Sequence, residues 1–79
     1  MLSDKQHIEK FKERFVELVK TNGTSIKICA KEIGISYTTF KRIFSTDKFP
    51  RIYTIFKIAR YYKVSMDYLL GISDDKNVR

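Results

Sequence analysis

The chain lacks most of what would tie it to special chemistry. A single cysteine, Cys29, rules out an internal disulfide and leaves no requirement for an oxidising compartment. The expectation for Cys29 is a small buried hydrophobe. A single histidine, His7, lies near a helix start and is expected to be solvated; with one His and one Cys there is no metal-ligand set. No apolar run approaches the roughly 20 residues of a bilayer span. The opening MLSDKQHIEK lacks the apolar centre of a signal peptide, so the expected location is the cytoplasm, with no membrane role. The acidic residues form no paired arrangement for metal, and no Ser–His or Cys–His combination exists beyond single residues. Neither an enzyme nor a cofactor site is therefore expected.

Acidic residues are also outnumbered, 9 against 16 Lys and Arg, for a net charge of +7 on 79 residues. So small a surface with that charge attracts a polyanion and speeds encounter with it, which makes nucleic acid the leading partner. An anionic membrane surface fits less well, because the basic residues are spread along the chain rather than gathered on one helix. Apolar residues at 43% and charged residues at 32% describe one globular domain with a thin core.

Helical periodicity runs through the whole sequence. Ser3-Asp4-Lys5-Gln6 has the form of a capping box. Behind it Ile8, Phe11, Phe15, Leu18 and Val19 make one apolar stripe, with Lys10, Lys12, Glu13, Arg14 and Glu17 on the other faces. Asn22-Gly23 ends this helix. Thr24 or Ser25 caps a second helix to about Ile33, and Ser36 caps a third from about Tyr37 to Ser45. The loop Thr46 to Pro50 comes next. A fourth helix is inferred from Ile52, Ile55, Phe56 and Ala59, and a last short one opens on Ser65 and closes at Gly71. Residues 72–79 are mostly polar and expected to fray, which places the domain at 1–71.

The centre of the chain is SIKICAKEIGISYTTFKRIFS, residues 25–45. Cys29, Ile33, Ile35, Phe40 and Ile43 give its two helices one inward face, Gly34 permits the sharp turn between them, and Ala30 lets them approach. Tyr37, Thr38, Thr39, Lys41 and Arg42 are left outward, all able to donate hydrogen bonds. That is a helix-turn-helix pattern, suited to laying its second helix in a DNA major groove.

Two pieces resemble the phage-repressor and Cro-like helix-turn-helix family, also called the XRE family. ICAKEIGIS, residues 28–36, matches its LAxxLGVS core. Pro50 with IFKIARYYKVSMDYLLG is similar to its tail in order and spacing at Ile55, Ile58, Ala59, Val64, Asp67, Tyr68, Leu69, Leu70 and Gly71. The resemblance implies an all-α, five-helix lambda-repressor-like domain, without cofactor, that binds double-stranded operator DNA as a homodimer on an inverted repeat. By position it implies Tyr37, Thr38, Thr39, Lys41 and Arg42 at the bases. Backbone contacts map to Ser25, Ser45, Lys48 and Arg51, and charge adds Lys27. An Arg42 guanidinium can fork onto guanine, and the threonines offer a methyl and a hydroxyl to base edges.

Three departures stand out. Ile26 replaces a frequent phosphate-binding Gln. Ile28 replaces a usually polar residue. Phe44 and Thr46 stand where many relatives have Glu and Gly, so the loop to Pro50 need not keep the usual turn. Ile26 and Ile28 are either extra core or a patch for a protein partner, with core filling the expectation. Dimer contacts are expected around Met66, Tyr68 and Leu70. The function implied is a transcriptional regulator, a repressor of phage or mobile-element type; the alternative is an antitoxin that binds a toxin and autoregulates its operon.

Overall fold

The computed structural model describes residues 2–23 and 25–77. Five helices occupy them: α1 (Asp4–Asn22), α2 (Ile26–Ile33), α3 (Tyr37–Ser45), α4 (Ile52–Tyr62) and α5 (Met66–Leu69), with no strand among the described residues. The all-α expectation is met. Local chemistry explains the boundaries. Ser3 Oγ accepts from the Gln6 N–H while Gln6 Oε1 accepts from the Ser3 N–H, a reciprocal cap that satisfies two otherwise unpaired donors. Ser25, Ser36 and Ser65 each accept from the backbone three residues on. Thr24, the other candidate cap, lies outside the described residues. α1 closes on Gly23 in the left-handed region, where a Cβ would be strained.

Phe15 is the hub of the core. It is fully buried, with ring centroids of Phe40 at 5.0 Å, Phe44 at 5.2 Å, Phe11 at 6.0 Å and Tyr62 at 6.3 Å. One residue of α1 thus pins α3 and the end of α4 together, and such aromatic pairs add to the burial energy through their ring quadrupoles. Beside it Cys29, Ala30 and Ile33 of α2 join Ile55, Ile58 and Ala59 of α4 in the same buried cluster. Phe44, one of the departures from the family pattern, serves this core by stacking on Phe15.

The structure corrects several expectations. On α4 the buried positions are Ile55, Ile58 and Ala59, whereas Ile52 and Phe56 face outward. The helix is apolar on nearly every face, so periodicity alone does not choose between overlapping stripes. Ile26 and Ile28 do not fill the core; they are 43% and 51% exposed. Cys29 points inward, and the single-residue step from it to Ile28 turns that side chain by about 100°, while Ile26 is the first residue of α2, at its exposed end.

The largest correction is Arg14, placed on the outer face by spacing but buried in the structure. Its guanidinium lies 4.1 Å from the Tyr68 ring centroid and donates to the Tyr68 and Ser73 carbonyls and to Asp74. Tyr68 is consequently interior, at 6% exposed, and is withdrawn from the expected dimer surface. His7 is likewise not simply solvated. It is half-buried with Nδ1 2.6 Å from the Leu70 carbonyl, so Nδ1 carries the proton it donates.

Beyond Gly71 the chain folds back. The Ser65 N–H donates to the Lys76 carbonyl and Ser65 Oγ to that of Asp75, while Arg14 holds Ser73 and Asp74. The described part of the tail, through Asn77, therefore packs on the domain; Val78 and Arg79 lie outside the described residues.

Tyr62 offers a test of the packing. Its hydroxyl is buried beside Cys29 without a hydrogen bond of acceptable geometry. Burial first, and then the Cys29 side chain, push the phenol well above its ordinary value of 10.0. A raised folded pKa on an acid leaves stability intact below the unfolded value and removes it above. Melting temperature should therefore hold steady to about pH 9.5 and fall beyond pH 10 as the unfolded phenol ionises first. Tyr62→Phe should flatten that fall and leave neutral-pH stability equal or up to about 1 kcal/mol higher. Thermal melts from pH 7 to 11 on both proteins check it, and equal alkaline slopes would sink the assignment.

Candidate nucleic-acid interface

The outward face of α3 is set by what its inward face must bury. Phe40 and Ile43 are in the core and Ile35 is half-buried at the turn. Gly34, at φ 92°, makes the turn, and the N–H groups of Gly34 and Ile35 both donate to the Ala30 carbonyl at 3.0 Å. Lys57 of α4 donates from Nζ to the Gly34 carbonyl at 3.0 Å and so braces the turn from behind. Ala30 is 1% exposed where the helices meet, leaving no room for a longer side chain. α3 is thereby held with Tyr37, Thr38, Lys41 and Arg42 exposed.

These side chains fall into two groups. In the first, the Tyr37 ring receives two ammonium groups, Lys41 from α3 at 4.9 Å and Lys27 from α2 at 5.5 Å. One aromatic ring thus gathers a cation from each helix of the motif, each attraction worth about 0.5–1 kcal/mol at an exposed site. In the second, Thr39 and Arg42 of α3 line a groove with Lys48 and Arg51 of the following loop, and no carboxylate lines it. The loop is anchored from α1: the Phe49 ring lies 5.9 Å from Phe11, and Lys12 pairs with Asp47 at 3.6 Å. Asp47 is thus engaged on the α1 side, and Lys48 and Arg51 share their groove with other cations. Thr46 is extended, at φ −119°, so α3 ends without the left-handed turn a glycine would give.

The remaining expected residues take humbler positions. Thr39 is half-buried and its hydroxyl accepts from Ser36 Oγ at 2.8 Å, which ties it to the cap of α3. Ser25 is exposed and caps the Ile28 N–H, and Ser45 Oγ donates to the Arg42 carbonyl. Thr54, which sequence reasoning missed, also lines the groove. Its signal was a hydroxyl in the first turn of a helix directly after a basic loop. That helix, α4, opens on Arg51 with no side-chain cap, whereas the other four open on a capping serine. An uncapped N-terminus carries partial positive charge that favours an anion nearby.

Among the described residues no group of three or more His, Cys, Asp or Glu is placed to hold a metal ion. No described helix is long and apolar enough to cross a membrane.

The class of protein is set by α2, the Gly34 turn and α3: an all-α domain built on a helix-turn-helix. Sequence comparison agrees. Over 63 residues the chain is 32% identical to the uncharacterized HTH-type transcriptional regulator YobD of Bacillus subtilis (strain 168), a match covering 80% of this chain and 56% of that protein. The chain thus matches little more than half the length of that relative. No protein-family profile matches it, and no solved structure does.

Proposed function

We propose that this protein is a sequence-specific DNA-binding transcriptional regulator, a repressor of phage or mobile-element type. The observation that carries the reading is the cationic surface of the motif. Tyr37, Thr38, Lys41 and Arg42 project from α3, and Arg42 joins Lys48 and Arg51 in a groove without a carboxylate. The description of the Bacillus relative supports it. In this mechanism α3 enters the major groove and Arg42 forks onto guanine O6 and N7. Thr38 meets a thymine methyl or base edge, while Tyr37 with Lys41 reaches a neighbouring base or phosphate. Lys27, Lys48 and Arg51, with the hydroxyls of Ser25 and Ser45, take phosphates and set the register. A single domain reads too few base pairs to find one site in a genome, so two copies would bind half-sites about one helical turn apart. With Tyr68 buried, the half-buried Met66 and Leu70 remain for that contact.

Selection of binding sites from random duplex DNA at near-physiological salt is the direct test. Enrichment of an inverted repeat is expected. A single half-site would retain the reader and reject the dimer, and no enrichment by a folded sample would reject the reading. A second expectation separates the energy terms. Lys48→Ala should weaken binding to all duplexes alike and reduce the slope of log K against log salt by about 0.9 per site lost. A sequence-dependent loss would mean that Lys48 reads bases.

The exposure of Ile26 and Ile28, which have no core role, favours a second reading, an antitoxin that binds a toxin and represses its own operon. A neighbouring gene product that co-purifies, and releases on Ile28→Ser, would decide for it.

A further inference from the structure

The apolar outer face of α4 is used neither by the core nor by the proposed DNA contacts, although Lys57 at its margin also braces the Gly34 turn. Ile52, Tyr53 and Phe56 are 66%, 60% and 41% exposed. Their spacing puts them on adjoining rows of the helix, and the Tyr53 and Phe56 rings stack at 6.1 Å with an interplanar angle of 16°. Cations edge the stack: Lys57 Nζ lies 4.8 Å from the Tyr53 centroid and the Arg60 guanidinium 5.3 Å from that of Phe56. Lys63 lies just beyond, at the helix end. α4 itself contains no Asp or Glu. Beside Phe56 a groove of about 900 Å³ opens between α4, α5 and the tail, lined in part by Ala59 and Val64. Aromatic rings with a flanking arginine, next to an apolar recess, have the composition of an interface centre rather than of an ordinary solvated surface.

The charge pattern selects the occupant. A second copy laid with its α4 against this α4 sets lysine and arginine against lysine and arginine. Duplex DNA offers phosphates to the cations but no apolar surface to cover Ile52 and Phe56. We propose that the α4 face binds an acidic amphipathic segment of another protein. Its apolar side chains would cover Ile52, Tyr53 and Phe56, and its carboxylates would reach Lys57, Arg60 and Lys63. Asp67 and Asp75 on the far wall of the groove direct those carboxylates to the α4 side.

The test is selection of helical peptides from a randomised library displayed against the full chain. Peptides with apolar residues at i, i+3 or i+4 and i+7, flanked by Asp or Glu, should be enriched and should shift the α4 amides in NMR spectra. Their affinity should fall at least about tenfold with Tyr53→Ser, with Phe56→Ser and with Arg60→Glu, as for a central contact. Tyr53→Ser and Arg60→Glu alter exposed positions and should lower the melting temperature by only a few degrees, which keeps the test valid if Phe56→Ser loosens the fold. Arg42→Ala should have no effect on peptide affinity. The proposal is overturned if the selected peptides are neutral or basic, or if none depends on Tyr53 and Arg60. It is also overturned if sedimentation shows a dimer that Tyr53→Ser abolishes, because the face then belongs to a second copy. Loss of operator affinity in Tyr53→Ser would assign the face to DNA instead.

Discussion

Arg42→Ala is expected to cost operator binding about 1–3 kcal/mol per half-site, roughly 5- to 150-fold, while affinity for random duplex falls only slightly. The asymmetry follows from chemistry. A phosphate contact is lost equally from every sequence, whereas a bidentate fork onto guanine exists only where guanine is present. The side chain is exposed on α3, and in the groove it shares Lys48 and Arg51 remain to hold phosphates after its removal. Arg42→Lys should keep the affinity for random DNA and still lose discrimination, since an ammonium is a point charge without the planar fork. Titration of both variants against the selected operator and a scrambled duplex at fixed salt provides the comparison. Equal losses on both duplexes would show that Arg42 touches phosphate alone. In a homodimer the substitution acts at both half-sites, and the free-energy loss doubles.

The largest effect on stability is expected from Arg14→Met. The buried guanidinium donates to the Tyr68 and Ser73 carbonyls and to Asp74, and it covers the Tyr68 ring. Methionine keeps much of the stem but leaves two carbonyls without that donor. The expected cost is about 2–4 kcal/mol, because hydrogen bonds to charged groups are worth more than neutral ones; the Tyr68 carbonyl keeps the Gly71 N–H, whereas the Ser73 carbonyl loses its Arg14 donor. For a domain of this size that lowers the melting temperature by roughly 10 °C or more. Asp74→Asn separates the causes. The Asp74 side chain is 95% exposed, so its ion pair is screened and its removal should cost under about 1 kcal/mol. Chemical denaturation of the two variants checks this. Equal losses would move the weight to the ion pair, and an unchanged Arg14→Met would mean that Arg14 does not hold the tail to α1.

The sequence carried the helices well because their ends are written in local chemistry. A serine whose hydroxyl accepts from the third N–H, or a glycine in the left-handed region, acts within one turn and needs no distant partner. Ser3, Gly23, Ser25, Gly34, Ser36 and Ser65 all do what their positions imply. The inward residues of the motif were equally legible, since Cys29, Ala30, Ile33, Phe40 and Ile43 recur at the helical period. The candidate interface was legible as a set of residues and not as an arrangement. Nothing local announces that Lys27 and Lys41 meet over Tyr37, or that Thr54 joins Arg42 across a groove.

By itself, then, the sequence determined the number of helices, their caps, the glycine turn and an excess of positive charge, all of which depend on residue identity or on residues within four or five positions of one another. Tertiary structure decided the rest. Arg14 reads as a surface charge until Tyr68 and Ser73, more than 50 residues away, bring it carbonyls to bind. Ile52 and Phe56 read as core until Ile55 and Ile58 take the inward side of the same helix. Whether a side chain is buried depends on which neighbour excludes water from it, and that neighbour is set by the packing of distant elements rather than by the period of its own helix.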